Sequence, residues 1–277
     1  MSTFIWLASY PKSGNTWVRA FLSSVKRDGG PININKLDKV TQPSTRHFLD
    51  DLLGIATADL TREEILLARP AVMSAYSRTA KGATLHKVHD AWVCNAAGQS
   101  LFPSELTQAS IYIVRDPRDV AISLAHHLGK TVNYAIKQMG NPSFALSDSA
   151  TKSTPNTYQP LLTWSQHVES WLDRAVPSPL LVRYEDMIAD PVQQGARIAR
   201  HAGLEKTMDI YAQAAQNTRF SELTKQEVQL GFQEILAPGR RFFRSGKAGG
   251  WKETLTPDQA AQIEQEHGQV MRRLGYL

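Results

Sequence analysis

The chain has 277 residues, 42% hydrophobic and 21% charged, a balance that supports a buried core and excludes a disordered or collagen-like chain. Lys and Arg number 31 against 26 Asp and Glu, and the excess of +5 is spread along the chain, which favours a small anionic ligand over nucleic acid. Cys94 is the only cysteine, so an intrachain disulfide and a multi-thiolate zinc site are excluded. No apolar run approaches the ~20 residues that cross a bilayer, and Met1-Ser2-Thr3 lacks the basic start of a signal peptide. A cytoplasmic protein without a membrane span is expected.

Phe4 to Ser9 is a short apolar run rich in β-formers, stopped by Pro11 and Gly14. Trp17, Val18, Phe21, Leu22 and Val25 follow at helical spacing, so the order is strand, loop, helix. Helical signals cover Thr61 to Ala68, and Thr84 to Val88 reads as a strand. Ile111 to Val114 is another β-run, followed by Arg115-Asp116-Pro117 and a helix from Asp119, with Asp116 and Asp119 read as helix-start residues. Gly140 to Pro160 carries no usable period and is expected to be a long loop. Trp164 to Leu172, Pro191 to Ala202 and Pro257 to Arg273 read as helices, the last opened by Thr256 with Gln259 in a capping box. Leu180-Leu181-Val182 reads as a strand leading into Arg183-Tyr184-Glu185-Asp186. Strands alternating with helices predict an α/β fold over one domain, 1–277, with a parallel sheet and helices on both faces. Ligands bind such sheets at the carboxyl ends of the strands, here Ser9, His89, Arg115 and Tyr184.

Ser9-Tyr10-Pro11-Lys12-Ser13-Gly14-Asn15-Thr16-Trp17 joins the first strand to its helix. Unpaired N–H groups at the helix start, the helix dipole and the Lys12 ammonium together suit a phosphate. A plain surface turn fits the same residues. The loop differs from G-x-x-x-x-G-K-[ST] because Lys12 precedes Gly14. Arg115 with Ser123 eight residues on would make a second anion site, or simply cap a helix.

Taken in order, Ser9 to Trp17, Lys87-Val88-His89, Arg115 to Ser123, Arg183 to Met187, Asn217-Thr218-Arg219-Phe220 and Phe243 to Lys252 span nearly the whole chain. The set resembles the cytosolic-type sulfotransferases that use 3′-phosphoadenosine 5′-phosphosulfate (PAPS), with a P-loop-like fold, and more narrowly their bacterial members. The resemblance implies that Lys12 and the N–H groups of Ser13, Gly14, Asn15 and Thr16 hold the 5′-phosphosulfate. By the same resemblance Trp17 flanks adenine, Tyr184, Thr218 and Phe220 line the base, and Arg115 with Ser123 holds the 3′-phosphate. The family's late Arg-Lys-Gly-x-x-Gly-Asp-Trp-Lys element is similar to Arg244-Ser245-Gly246-Lys247-Ala248-Gly249-Gly250-Trp251-Lys252. Here Ser245 replaces a lysine, whose contact Lys247 would supply, and Gly250 replaces an aspartate, which is expected to leave the loop more mobile.

His89 is the expected general base toward a hydroxyl of a small-molecule acceptor, its unperturbed pKa of ~6.5 suiting that task. Lys87, two residues away and so on the same face of the strand, joins Lys12 in stabilising charge on the transferring group. His86, His126 and His127 are read as bystanders. No metal is expected, since no carboxylates cluster. The segment 140–160 is expected to be a mobile acceptor lid that uses Phe144, Leu146 and Tyr158. The rival readings are a P-loop kinase or nucleoside triphosphatase, a protein that only binds the nucleotide bisphosphate, and an RNA-binding protein that uses the basic surface. Acceptor identity and oligomeric state are not legible.

Overall fold

A computed structural model describes residues 2–37, 41–149, 154–235 and 239–277. The strands are β1 (Thr3–Ser9), β2 (Ala83–Val88), β3 (Thr107–Val114), β4 (Ala145–Leu146), β5 (Gln159–Pro160) and β6 (Leu180–Arg183). Four of them form one parallel sheet in the order β2-β1-β3-β6, flanked by helices as expected. β1 and β2 run in register from Thr3 against Ala83 to Ala8 against Val88. All of Phe4 to Ser9 is buried, which is why β1 reads as a continuous apolar run rather than an alternating one. The chain goes from β1 to β2 on one side and later to β3 on the other, so the strand order reverses at β1.

By their contacts the residues form two compact units. The first comprises Met1–Tyr10, Val40–Tyr112 and Asn141–Leu181. It holds β1, β2, most of β3, and the helices α2 (Arg46–Leu53), α3 (Arg62–Thr79) and α6 (Trp164–Arg174). Its core is aromatic: Phe102 packs 5.2 Å from Trp6, 5.0 Å from Trp92 and 5.0 Å from Trp171, centroid to centroid. α3 opens with a capping box between Thr61 and Glu64 and runs past the expected Ala68, through Pro70, to Thr79. Proline cannot donate to the carbonyl four residues back. Here Asn95 Nδ2 donates to that carbonyl, Leu66 O, at 3.3 Å, so the helix continues with its acceptor satisfied.

The expected long loop 140–160 contains the short antiparallel pair β4/β5. Leu161 N donates to Phe144 O, Thr157 N to Ser44 O, and Arg46 Nε to Thr154 O. Residues 150–153 of the expected lid lie outside the described residues.

The second unit comprises Pro11–Lys39, Ile113–Gly140 and Val182–Leu277. Its helices are α1 (Asn15–Lys26), α4 (Pro117–Leu128), α5 (Val132–Met139), α7 (Tyr184–Ala189), α8 (Pro191–His201), α9 (Met208–Asn217), α10 (Phe220–Leu230), α11 (Trp251–Thr254) and α12 (Pro257–Arg273). α12 matches its expected bounds, capping box included. α4 starts two residues before the expected Asp119, with Pro117 in its first turn and Asp116 as N-cap accepting from Arg118 N. The Arg118 guanidinium also meets Glu264 Oε1 at 2.7 Å and Tyr276 O at 2.8 Å, which ties the start of α4 to α12 and the carboxyl end. Among the described residues no helix is long and apolar enough to cross a membrane.

Candidate functional site

In the second unit the groups converge on the loop between β1 and α1. Lys12 is left-handed at φ 70°, and Gly14, the N-cap of α1, has φ 108°. A Cβ at Gly14 would sit 2.8 Å from Tyr184 Cδ2, so this position takes glycine both for its φ and for the aromatic ring against it. The Gly14 carbonyl accepts from Trp17 N and Val18 N, turning the chain into α1. The first-turn N–H groups of a helix have no carbonyl within it, so Asn15 and Thr16 present them at the helix's positive end. The Ser13 side chain is wholly buried, and its Oγ has no hydrogen-bond partner among the described residues.

Arg115, one residue beyond β3, is 8% exposed. Its Nη1 reaches Lys12 O at 3.4 Å, its Nη2 reaches Lys247 O at 3.0 Å, and the guanidinium stacks 4.3 Å over the Tyr184 ring. Its Nε is buried with no partner among the described residues. One side chain therefore joins the β1–α1 loop, the end of β3, the start of α7 and the late glycine-rich loop. Trp17 meets Tyr184 edge-on at 5.8 Å. Gly246, at φ 61°, lies so close under the Phe220 ring that a Cβ there would stand 2.3 Å from it. Thr218 is fully buried and donates its hydroxyl to Ala214 O at 2.7 Å, which leaves its oxygen lone pairs as what it can offer a ligand. Ser123 is half-buried on α4, Ser245 is half-buried and Arg244 is exposed.

Asp119 is a first-turn acid of α4, as read, and its carboxylate also reaches outside the helix. Its carboxylate accepts from Gly249 N at 2.7 Å and Trp251 N at 2.9 Å, and stands 3.7 Å from Arg115 Nη2. The loop in which Gly250 takes the place of an aspartate is thus gripped on both sides of that glycine by a carboxylate from α4. The only local hint was the four-residue spacing from Arg115. Three more contacts escaped the sequence: Lys12 Nζ sits 3.5 Å from the Phe242 ring centre, and Glu234 accepts from Thr16 Oγ1 at 3.4 Å and from Arg19 Nη1 at 2.6 Å.

In the first unit, Lys87 and His89 are half-buried and alternate with the buried His86, Val88 and Asp90, as the shared-face argument requires. His89 Nδ1 lies 2.9 Å from Ser9 O. A carbonyl oxygen only accepts, so Nδ1 carries the proton and Nε2 the lone pair of the neutral ring. That is the form a proton acceptor needs. Next to it, the buried Asp90 pairs with the buried Arg69 at 2.5 Å. His86 is fully buried among Phe4, Trp6 and Tyr76, where burial pushes its pKa down to about 3, which suits a core residue rather than a proton carrier. His126 Nε2 pairs with Arg241 O at 2.8 Å, and His127 meets Phe242 edge-on at 5.8 Å.

A parallel sheet flanked by helices, whose strand order reverses at β1 and whose first strand runs through a glycine-containing loop into a helix, defines an α/β protein of P-loop-like fold. The chain belongs to the sulfotransferase family, whose sulfotransferase domain matches residues 2–275. It is 24% identical to rat sulfotransferase 2A6 over 262 residues, covering 93% of this chain and 81% of that one. It is 23% identical to cytosolic sulfotransferase 17 of Arabidopsis thaliana over 289 residues, covering 98% and 75%. In fold it is similar to mouse sulfotransferase SULT7A1 complexed with PAP, at TM-score 0.62 and 20% identity over 98% of this chain and 85% of that one. These relatives are animal and plant proteins, so the narrower likeness to bacterial members rests on the sequence motifs alone.

Proposed function

We propose that this protein is a PAPS-dependent sulfotransferase acting on a hydroxyl of a small-molecule acceptor. The observation that carries the reading is Arg115, whose buried fork reaches the Lys12 and Lys247 carbonyls and stacks on Tyr184, with Nε still unpartnered among the described residues. With Ser13 Oγ, it supplies buried donors that fit a phosphorylated nucleotide, and a Cβ would fill the space at Gly14 and Gly246. When bound, PAPS supplies the sulfuryl group and departs as adenosine 3′,5′-bisphosphate (PAP).

Lys12, Ser13, Gly14, Asn15 and Thr16 are the residues proposed to hold the 5′ end, and Arg115 with Ser123 the 3′-phosphate. Trp17, Tyr184, Thr218 and Phe220 would border the base, and Arg244, Ser245 and Gly246 would complete the 3′ side. His89 takes the acceptor's hydroxyl proton on Nε2 while Nδ1–H stays on the Ser9 carbonyl. Lys87 and Lys12 are the residues proposed to stabilise the negative charge that develops on the transferring group. The segment 140–160 is proposed as the acceptor lid and the chain as one sulfotransferase domain, consistent with a family match from residue 2 to 275. A cytoplasmic location is part of the same proposal, supported by a relative named as a cytosolic sulfotransferase.

The test is nucleotide choice. PAP should raise the melting temperature while ATP with magnesium should not, and labelled PAPS should transfer label to an acceptor drawn from a panel of phenols and alcohols. Protection by ATP with magnesium in place of PAP would favour the P-loop kinase reading. Gly14→Ala is expected to cost about 1–3 kcal/mol of stability, because it puts an alanine at φ 108°. It should also weaken PAP binding, since the added methyl meets the Tyr184 ring. Calorimetry and PAP titration check both, and parental values in each would show that neither the φ nor the ring constrains this position.

A further inference from the structure

The main chain just beyond β2 is held by one face of α6. His167, Ser170 and Trp171 stand at i, i+3 and i+4, so they share that face. His167 Nε2 reaches His89 O at 2.9 Å, Trp171 Nε1 donates to Asp90 O at 3.0 Å, and Ser170 Oγ accepts from Trp92 N at 2.9 Å. The three contacts begin at the carbonyl of the residue read above as the base and continue along the chain after it. From the other side, Ser9 O takes the ring's Nδ1–H.

His167 is wholly buried, a position that a leucine would fill without desolvating two nitrogens. Both nitrogens are used. The His89 carbonyl can only accept, so His167 Nε2 carries its proton, and His167 Nδ1 accepts from Tyr112 O–H at 2.8 Å. Burial pushes the His167 pKa down to about 4, so the ring stays neutral and this proton pattern persists. Tyr10 packs edge-on against the same ring at 5.3 Å.

We propose that His167 is a positioning residue for His89: its Nε2–H anchors the His89 carbonyl, and the anchored backbone keeps the His89 ring on Ser9 with Nε2 as the lone-pair nitrogen. This rests on the reading of His89 as the proton acceptor. His167 touches neither donor nor acceptor in this role. Removing it should therefore lower turnover without weakening PAP.

The experiment compares the parent with His167→Leu, His167→Gln and Tyr112→Phe, using acceptor kinetics, PAP affinity, melting temperature and ¹⁵N imidazole spectra of His89. His167→Leu is expected to lower kcat by about 10- to 100-fold, as loss of an orienting partner does, with PAP affinity unchanged and His89 showing mixed tautomers. His167→Gln retains an N–H for the His89 carbonyl and should recover much of that loss. Tyr112→Phe, which removes one hydroxyl only, keeps the test alive if His167→Leu does not fold. It should free His167 to exchange tautomers and should lower kcat less. Folded His167 variants that keep both parental kcat and a pure Nδ1–H form of His89 would overturn the proposal, as would a kcat loss with no recovery in His167→Gln. The spectra read the anchor without reference to activity. If the His89 tautomer responds as expected but His89→Ala retains full turnover, the base reading fails and the anchor stands.

Discussion

His89→Ala is expected to lower sulfuryl transfer by about 10² to 10⁴ while leaving PAP affinity nearly unchanged. The ring is held through Nδ1–H on the Ser9 carbonyl, and alanine removes the Nε2 lone pair while leaving the residues proposed to hold the nucleotide in the sequence. The acceptor's hydroxyl must then lose its proton to water. Because His89 is only half-buried, the substitution opens little cavity, and the melting temperature should fall far less than activity does. Steady-state rates against PAP titration separate the two effects. Near-parental turnover would reject His89 as the base, and a parallel loss of PAP affinity would move it into the donor cradle.

Arg115→Ala is expected to weaken PAP by about 10- to 100-fold, the loss of roughly 1.5–3 kcal/mol that follows when a hydrogen bond to a charged group disappears. A nucleotide lacking the 3′-phosphate should lose much less. The substitution also removes the donors on Lys12 O and Lys247 O and leaves Asp119 without the cation 3.7 Å away, so some stability will go with it. Arg115→Lys serves as the control, since it keeps the charge and loses the fork. Titrating PAP and adenosine 5′-phosphate at a temperature well below each variant's melting point gives the ratio. Equal losses for both nucleotides would place Arg115 away from the 3′-phosphate.

What was legible followed from local grammar. β1 and the end of β3 are unbroken apolar runs, so the strand ends at Ser9 and Arg115 could be placed, and with them the expected site residues. α3 was cut short because its continuation past Pro70 depends on Asn95, twenty-nine residues from the carbonyl that it satisfies. β4 and β5, two residues each, are too short to leave a period. Asp119 is the helix-start acid that was read, but its hold on Gly249 and Trp251 was hidden because those partners return 130 and 132 residues later. The contacts of His167 were hidden for the same reason: Tyr112 and the His89 carbonyl are distant in sequence. The motifs that survive reading are those whose neighbours are adjacent, whereas the contacts that orient them are made by the tertiary fold.

The backbone at Lys12 has its own implication. An L-residue with a side chain at φ 70° pays a conformational penalty of roughly 1–2 kcal/mol that glycine would avoid. Lys12→Gly should accordingly melt higher or no lower than the parent, even after losing the Nζ contact on the Phe242 ring, and should be the poorer enzyme. If Lys12 acts as proposed, thermodynamic robustness and catalysis select different side chains at this residue. A screen of this protein for heat tolerance alone is therefore expected to admit glycine at position 12, and with it the loss of the ammonium proposed to hold the donor.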